Sequence, residues 1–264
     1  MIAAVIQARM NSTRLPGKIL IQVCGKPFLQ HLIERIKNSK KINKIIVATS
    51  LNKEDDVIEE FCNKYSISCY RGSENDVLSR YKDASDKFKI DTIVRLTSDT
   101  PLLDGKMVDD TVQVFLENNA DFVSNCYPLP RTYPDGTNVE VFSKKILNEM
   151  YEKAKKPSER EHVTFYVLDR PKEYTIIKVD LEKDFSKYRF NLDYKEDYEL
   201  LKILFEKFYE NNQGFTIFDC IEFLKQNPEI QQINSKIIPF QGILKSFDID
   251  AKMGFSKDKE FFNP

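Results

Sequence analysis

"IAAVIQARMNSTRLPGK", Ile2 to Lys18, runs from an apolar stretch into a connection that carries Arg9, Arg14 and Lys18, and no acidic residue follows until Glu34. Ile2 to Ile6 reads as a buried strand, because a continuous apolar run of that length suits a parallel strand covered on both faces. In an open α/β sheet, ligands lie beyond the carboxyl ends of the strands, and the first strand-to-helix connection is the usual phosphate cradle. The cationic segment occupies that position. It has no GxGxxG, and it is not a Walker loop, since Ser12 stands where the first glycine belongs and Ile19 follows Lys18. Two guanidiniums and one ammonium, spaced by Asn11, Ser12 and Thr13 and turned by Pro16 and Gly17, can instead surround a polyphosphate from several sides. The competing reading is a basic, solvated turn, and placement after the first strand favours the anion site.

Working outward, β-rich runs alternate with stretches of helical periodicity. Strands are predicted near Ile2 to Gln7, Lys44 to Thr49, Ile67 to Tyr70, Thr92 to Leu96, Asp121 to Ser124, Asn138 to Phe142 and Tyr174 to Val179. Helices are predicted at Pro27 to Lys37, Glu54 to Tyr65, Asp76 to Phe88, Lys106 to Glu117, Lys144 to Lys155, Lys195 to Tyr209 and Ile217 to Lys225. This alternation implies an α/β fold: a Rossmann-like, doubly wound, mostly parallel sheet with helices on both faces. "CYPLPRTYPDG" crowds prolines and a glycine into a segment expected to be a surface loop. The stretch from Asn227 to Pro264 reads as less regular. The expected division is a main domain over 1–226, with an insertion around 126–180 for acceptor binding or dimerisation, and a C-terminal extension over 227–264.

The chain has 264 residues, 41% hydrophobic and 31% charged, with a formal net charge of -1. That length supports a sizeable core. Near-neutral charge argues against a nucleic-acid partner, so any basic function is local. Five cysteines without a CxxC pair suggest neither a disulfide framework nor a zinc site, and a cytoplasmic location is expected. No membrane association is expected, because no apolar run reaches about 18 residues.

"QARMNSTRLPGKIL", "RGSENDVLSRY", "VRLTSDTPLLD", "PDGTNVEVF", "EREHVTFYV" and, more loosely, "RFNLDYKEDYELL" follow one another along residues 1 to 205. This ordered series resembles the cytidylyltransferases that activate acidic sugars, and most closely their spore-coat polysaccharide biosynthesis branch. Ketodeoxyoctonate and acylneuraminate cytidylyltransferases belong to the same group. The resemblance implies a nucleotidyltransferase-type fold, CTP bound over the first loop with Mg²⁺, and transfer of CMP to an anionic small-molecule acceptor with release of pyrophosphate. It also implies a role in cell-surface glycan synthesis and a homodimer.

The implied catalytic residues are Lys18, Arg14 and Arg9. Lys18 ranks first, because a flexible point charge can follow a phosphate as its geometry changes. The implied nucleotide-binding set adds Ala8, Ser12, Arg71, Gly72, Ser73, Arg80 and Thr97. Asp99, just past a strand, suits either a turn or a metal ligand, and the resemblance favours the metal. Asp193 is the implied second ligand, although it could also cap the helix predicted from Lys195. The sequence departs from the family here, having Tyr194 and Lys195 where threonine and proline are commoner.

Acceptor contacts are implied for Glu140, Arg160 and His162. Glu140 alternates with apolar neighbours on a strand. Ser158 and Glu161 have capping-box spacing, which leaves Arg160 and His162 unexplained by helix initiation. His31 lies on an apolar helix and reads as a packing or surface residue rather than a chemical one. Two other functions compete: a metal-dependent sugar-nucleotide glycosyltransferase, which does not need the Arg9, Arg14 and Lys18 cluster, and a catalytically inactive nucleotide-binding protein.

Overall fold

A computed structural model of the chain describes residues 1–256, 259, 261 and 262. Its main sheet uses β1 (Ile2–Gln7), β4 (Lys44–Ser50), β5 (Ser68–Gly72), β6 (Thr92–Thr97), β7 (Phe122–Ser124), β8 (Glu140–Ser143) and β9 (Ile176–Lys178). A separate antiparallel pair, β2 (Gln22–Val23) and β3 (Lys26–Pro27), follows the first loop. The sheet order is β5-β4-β1-β6-β8-β7-β9. Every pairing is parallel except those of β8, which runs against both β6 and β7. The expected mostly parallel, doubly wound sheet is therefore present.

Along β1 the side chains alternate between two cores. Ala4 and Ile6 pack with α1 (Phe28–Ile36), α2 (Asp56–Lys64), α4 (Gly105–Glu117), α8 (Lys195–Phe208) and α9 (Ile217–Gln226). Ala3 and Val5 face the other way, toward α3 (Val77–Lys87), α5 (Lys144–Lys153) and α7 (Phe165–Leu168). A strand covered on both faces has no polar side, which is why this one reads as an unbroken apolar run. The chain leaves β1 for β4 and β5 on one side, then returns to β6 on the other. The loops after β1 and β6 diverge at that reversal and open a crevice. Gln7 pairs with both Ala48 and Thr97, so the three central strands end level there.

Three expectations are corrected. The "CYPLPRTYPDG" segment is mostly buried: Cys126, Tyr127, Leu129, Arg131, Tyr133 and Asp135 all lie inside, because its aromatic and aliphatic side chains join the two cores. The tail contains α10 (Pro228–Gln231) and a regular helix, α11 (Gln241–Lys252), which packs on α6 (Pro157–His162). Finally, α6 does not begin with the expected Ser158–Glu161 box. The Glu159 carboxylate accepts from Lys155 N and Lys156 N, at 3.0 and 3.1 Å, while Ser158 bonds to Asp250 of α11.

Gly136 fixes how the buried segment meets the strand-like stretch before α8. Its φ is +91°, and a Cβ there would lie 2.3 Å from Asn191 N and 2.4 Å from Phe190 C. Around it Asp135 N donates to Tyr188 O at 2.9 Å and Phe190 N donates to Asp135 O at 2.6 Å. Gly25 also has a positive φ, +75°, but nothing lies within 4 Å of its Cβ position. Gly25→Ala is thus expected to cost about 1 kcal/mol of left-handed backbone strain. Gly136→Ala adds a backbone clash, and urea denaturation should show it to be at least about 2 kcal/mol worse than the Gly25 variant; equal costs would contradict the close approach.

Candidate active site

The first loop is held by backbone and by one buried carboxylate. Ala8 N donates to Ala48 O and Ser98 N to Gln7 O, both at 3.1 Å, so the β1 and β6 exits are tied to the sheet. Met10 N donates to Asp55 Oδ1 at 2.7 Å, and Asp55 Oδ2 accepts from Ser50 N and Ser50 Oγ. Gly17, at φ +67°, returns its N–H to Met10 O at 3.1 Å. The chain can then turn Lys18 inward, where its side chain is buried.

Lys18 Nζ lies 2.8 Å from Asp99 Oδ2 and 2.6 Å from Asp193 Oδ1, residues 81 and 175 positions further along. Asp193 Oδ2 meets Arg14 Nη2 at 3.1 Å. Burial alone lowers an ammonium pKa, but the charges of Asp99 and Asp193 outweigh it, and Lys18 is raised. Burial pushes Asp99 upward, and the Lys18 charge with its hydrogen bond overcomes this and holds the carboxyl at about 2. All three groups are therefore ionised near neutrality.

The second carboxylate is delivered by backbone. Leu192 N donates to Asp99 O at 2.9 Å, which joins the two segments next to their side chains. Asp193 does not cap α8. That task falls to Asp197, which accepts from Asp193 N and Tyr194 N at 3.0 and 3.1 Å and leaves the Asp193 carboxylate facing Lys18. Arg189 forks onto Asp197 with Nε and Nη2, both at 2.9 Å, and places Nη1 2.8 Å from Asp135.

Two cavities meet at this cluster. The first, about 260 Å³, is walled by the loop (Ala8, Arg9, Ser12, Arg14 and Lys18), by Arg80, and by Thr97, Asp99 and Asp193. Its lining carries four cations (Arg9, Arg14, Lys18, Arg80) against three carboxylates (Asp99, Glu161, Asp193). The second, about 220 Å³, shares Arg14, Thr97, Asp99, His162 and Asp193 with the first and extends to Tyr127, Glu140, Phe165, Tyr194 and Gln241.

Some expected residues are elsewhere. Arg71 turns to Asp56 and Glu59 at 2.6 and 3.0 Å and lines neither cavity. Gly72 O accepts from Leu51 N, and Ser73 Oγ accepts from Asp76 N, so both serve the turn before α3. Arg160 also lies outside both cavities, forked onto Asp76 through Nε and Nη2. Its partner in the expected pair, His162, lines both, with Nε2 2.9 Å from Ser246 Oγ. Glu140 reaches the second cavity but is buried and committed: Oε1 pairs with Arg95 at 2.9 Å and Oε2 accepts from Thr164 Oγ1 at 2.8 Å. His31 packs in the core with Nε2 2.8 Å from Val23 O. Among the residues sequence reasoning did not single out, Asp55, Arg95, Arg189 and Gln241 shape the site. A signal existed for Arg95, a lone charge within the otherwise apolar "TIVRLT", opposite the equally isolated Glu140.

A switch-point crevice holding a cationic loop and two carboxylates from distant segments is the architecture of a nucleotidyltransferase. The cytidylyltransferase family model matches residues 3–237, and the chain belongs to that family. The cytidylyltransferase of Leptospira borgpetersenii serovar Hardjo-bovis superposes with a TM-score of 0.83 at 39% identity, over 90% of this chain and 98% of that one. The spore coat polysaccharide biosynthesis protein SpsF of Bacillus subtilis is 33% identical over 232 residues, 85% of this chain and 94% of the relative. A CMP:2-keto-3-deoxy-manno-octonic acid synthetase complexed with CTP shares the fold, with a TM-score of 0.61 at 17% identity over 78% of this chain and 98% of that one.

Burial drives the His162 pKa down to about 4, against the opposing charges of Glu161 and Asp250 and with Arg95 adding to the depression. Unfolded chains, with an ordinary imidazole near 6.5, take up a proton that the native state refuses. Stability should therefore fall as pH drops from about 6.5 toward 4, by about 1–2 kcal/mol by pH 5. His31, also lowered by burial, contributes with the same sign. Urea midpoints at pH 7 and 5 should show a smaller loss for His162→Gln than for the parent chain; an unchanged loss would contradict a neutral, buried His162.

Proposed function

We propose that the chain transfers CMP from CTP to an oxygen of an acidic sugar or phosphorylated acceptor, releasing pyrophosphate, in the synthesis of a cell-surface glycan. The observation that carries this reading is the Lys18 ammonium between Asp99 and Asp193, at the mouth of the loop bearing Arg9 and Arg14. The names of two relatives, a spore-coat polysaccharide biosynthesis protein and a synthetase complexed with CTP, point the same way.

In the transfer, the acceptor oxygen bonds to the α-phosphorus as the bond from that phosphorus to the bridging oxygen of pyrophosphate breaks. Lys18 exchanges its carboxylate partners for phosphate oxygens and follows the α-phosphate, while Arg9 and Arg14 hold the departing pyrophosphate. Arg80, buried at the wall with Nε unpartnered, adds positive potential without needing to move. The shared cavity at Asp99, Asp193 and Arg14 orients the two reactants and keeps water out.

The donor set fits Mg²⁺. Two oxygen ligands from carboxylates, with phosphate and water completing the shell, is an ordinary arrangement for that ion, and a cavity with nearly balanced charge needs an added cation to take a triphosphate. Asp99 and Asp193 are the residues that would hold it. Bound there, the ion neutralises charge on the phosphate chain.

A matrix of nucleoside triphosphates against acidic acceptors, read as pyrophosphate produced, tests the reading. CTP with at least one anionic acceptor should support turnover, and Lys18→Met should lower kcat by about 10² or more. Absence of turnover with every pair, or full activity in Lys18→Met at saturating substrates, would overturn it.

A further inference from the structure

The family match ends at residue 237, yet α11 begins at Gln241 and forms a wall of the acceptor-side cavity. This wall is firmly seated. Asp250, fully buried, accepts from Ser158 N at 3.0 Å and Ser158 Oγ at 2.5 Å. Ser246 donates to Glu161 at 2.8 Å and meets His162 Nε2 at 2.9 Å, while Phe247 packs against Phe165 with ring centroids 5.9 Å apart. A buried carboxylate with two donors, a buried serine and a packed aromatic ring fix the helix in register.

Gln241 sits at the start of that helix. Its Oε1 accepts from Tyr194 OH at 2.9 Å. With the oxygen so engaged, the amide keeps two N–H donors for another partner. Tyr194 is the residue after Asp193, and its ring lies beneath the Arg14 guanidinium, 5.0 Å from carbon to centroid. Gln241 is thus one hydrogen bond from the reacting cluster, and it lines the acceptor-side cavity but not the phosphate-side one. Tyr194 is also where the sequence departs from the family's commoner threonine, so the unusual residue and the added helix are partners.

Resting on the cytidylyl-transfer reading, we infer that Gln241 is a specificity-determining residue, whose amide N–H groups bind a carboxylate or phosphate oxygen of the acceptor. Tyr194 is its positioning residue. A neutral donor suits this role, because the nearby cations are committed: Arg95 to Glu140 and Gln7, Arg189 to Asp135 and Asp197.

The test uses full-length protein with CTP and three acceptors, 3-deoxy-manno-octulosonate, N-acetylneuraminate and glycerol 3-phosphate, followed by pyrophosphate release. Gln241→Glu keeps the oxygen that accepts from Tyr194 but replaces the donors with negative charge. For the acceptor used, its KM should rise about tenfold or more, with KM for CTP within about twofold. Tyr194→Phe, which keeps the ring under Arg14, should raise the acceptor KM by a smaller factor. An unchanged acceptor KM in Gln241→Glu, or an equal rise in both KM values, would overturn the role of Gln241 while leaving the transfer reading intact. Failure of the parent enzyme with all three acceptors would instead count against the transfer reading, and the inference falls with it.

Discussion

One ammonium between two carboxylates organises the whole crevice. Lys18 leaves the first loop, Asp99 the end of the fourth strand in the parallel series, and Asp193 a segment that arrives only after most of the chain has been laid down. Charges this deeply placed are costly unless paired and hydrogen-bonded, and removing one partner strands the others. The pairing therefore constrains three remote parts of the chain to a common point. Backbone geometry makes that possible: the Leu192 to Asp99 hydrogen bond sets the two carboxylates side by side, and the glycine at 136 lets the buried 126–137 segment press against Phe190 and Asn191.

Around this centre the charges form layers. Arg189 spans Asp135 and Asp197, and Asp197 in turn accepts from Asn234 and from the amides that open α8, so every oxygen of that buried acid has a donor. On the other side Arg95 and Glu140 face each other across the antiparallel β6 and β8 pair. These networks leave Arg9 and Arg14 as the more exposed cations at the cavity, with Lys18 held in reserve by carboxylates that a phosphate can replace. The division suits a site that must take in and release a highly charged molecule. A triphosphate is met by groups free to move, whereas the walls are locked by fully satisfied pairs.

The central strands and the helices through α9 were legible in the sequence because each is a long apolar or amphipathic run with a clear period, and the first loop was legible because its cations stand together in a stretch without acids. Asp99 and Asp193 were reached through the family resemblance, and Tyr194 in place of threonine obscured the second. What could not be read were tertiary choices. Arg71 and Arg160 look as available as Arg14 in sequence, but Asp56, Glu59 and Asp76 claim them, and only folding brings those acids near. The proline-rich segment looks exposed by composition, yet its tyrosines and leucine find both cores. Helix α11 was missed because its buried positions, Ser246, Phe247 and Asp250, are mostly polar and show no apolar stripe.

The most direct measurement of the central claim is Mn²⁺ binding in the presence of CTP, followed by electron paramagnetic resonance, for the parent chain and for Asp99→Asn and Asp193→Asn. If both carboxylates serve one nucleotide–metal seat, each variant should bind Mn²⁺ at least about tenfold more weakly while remaining folded. Undiminished Mn²⁺ affinity in both variants would contradict the account.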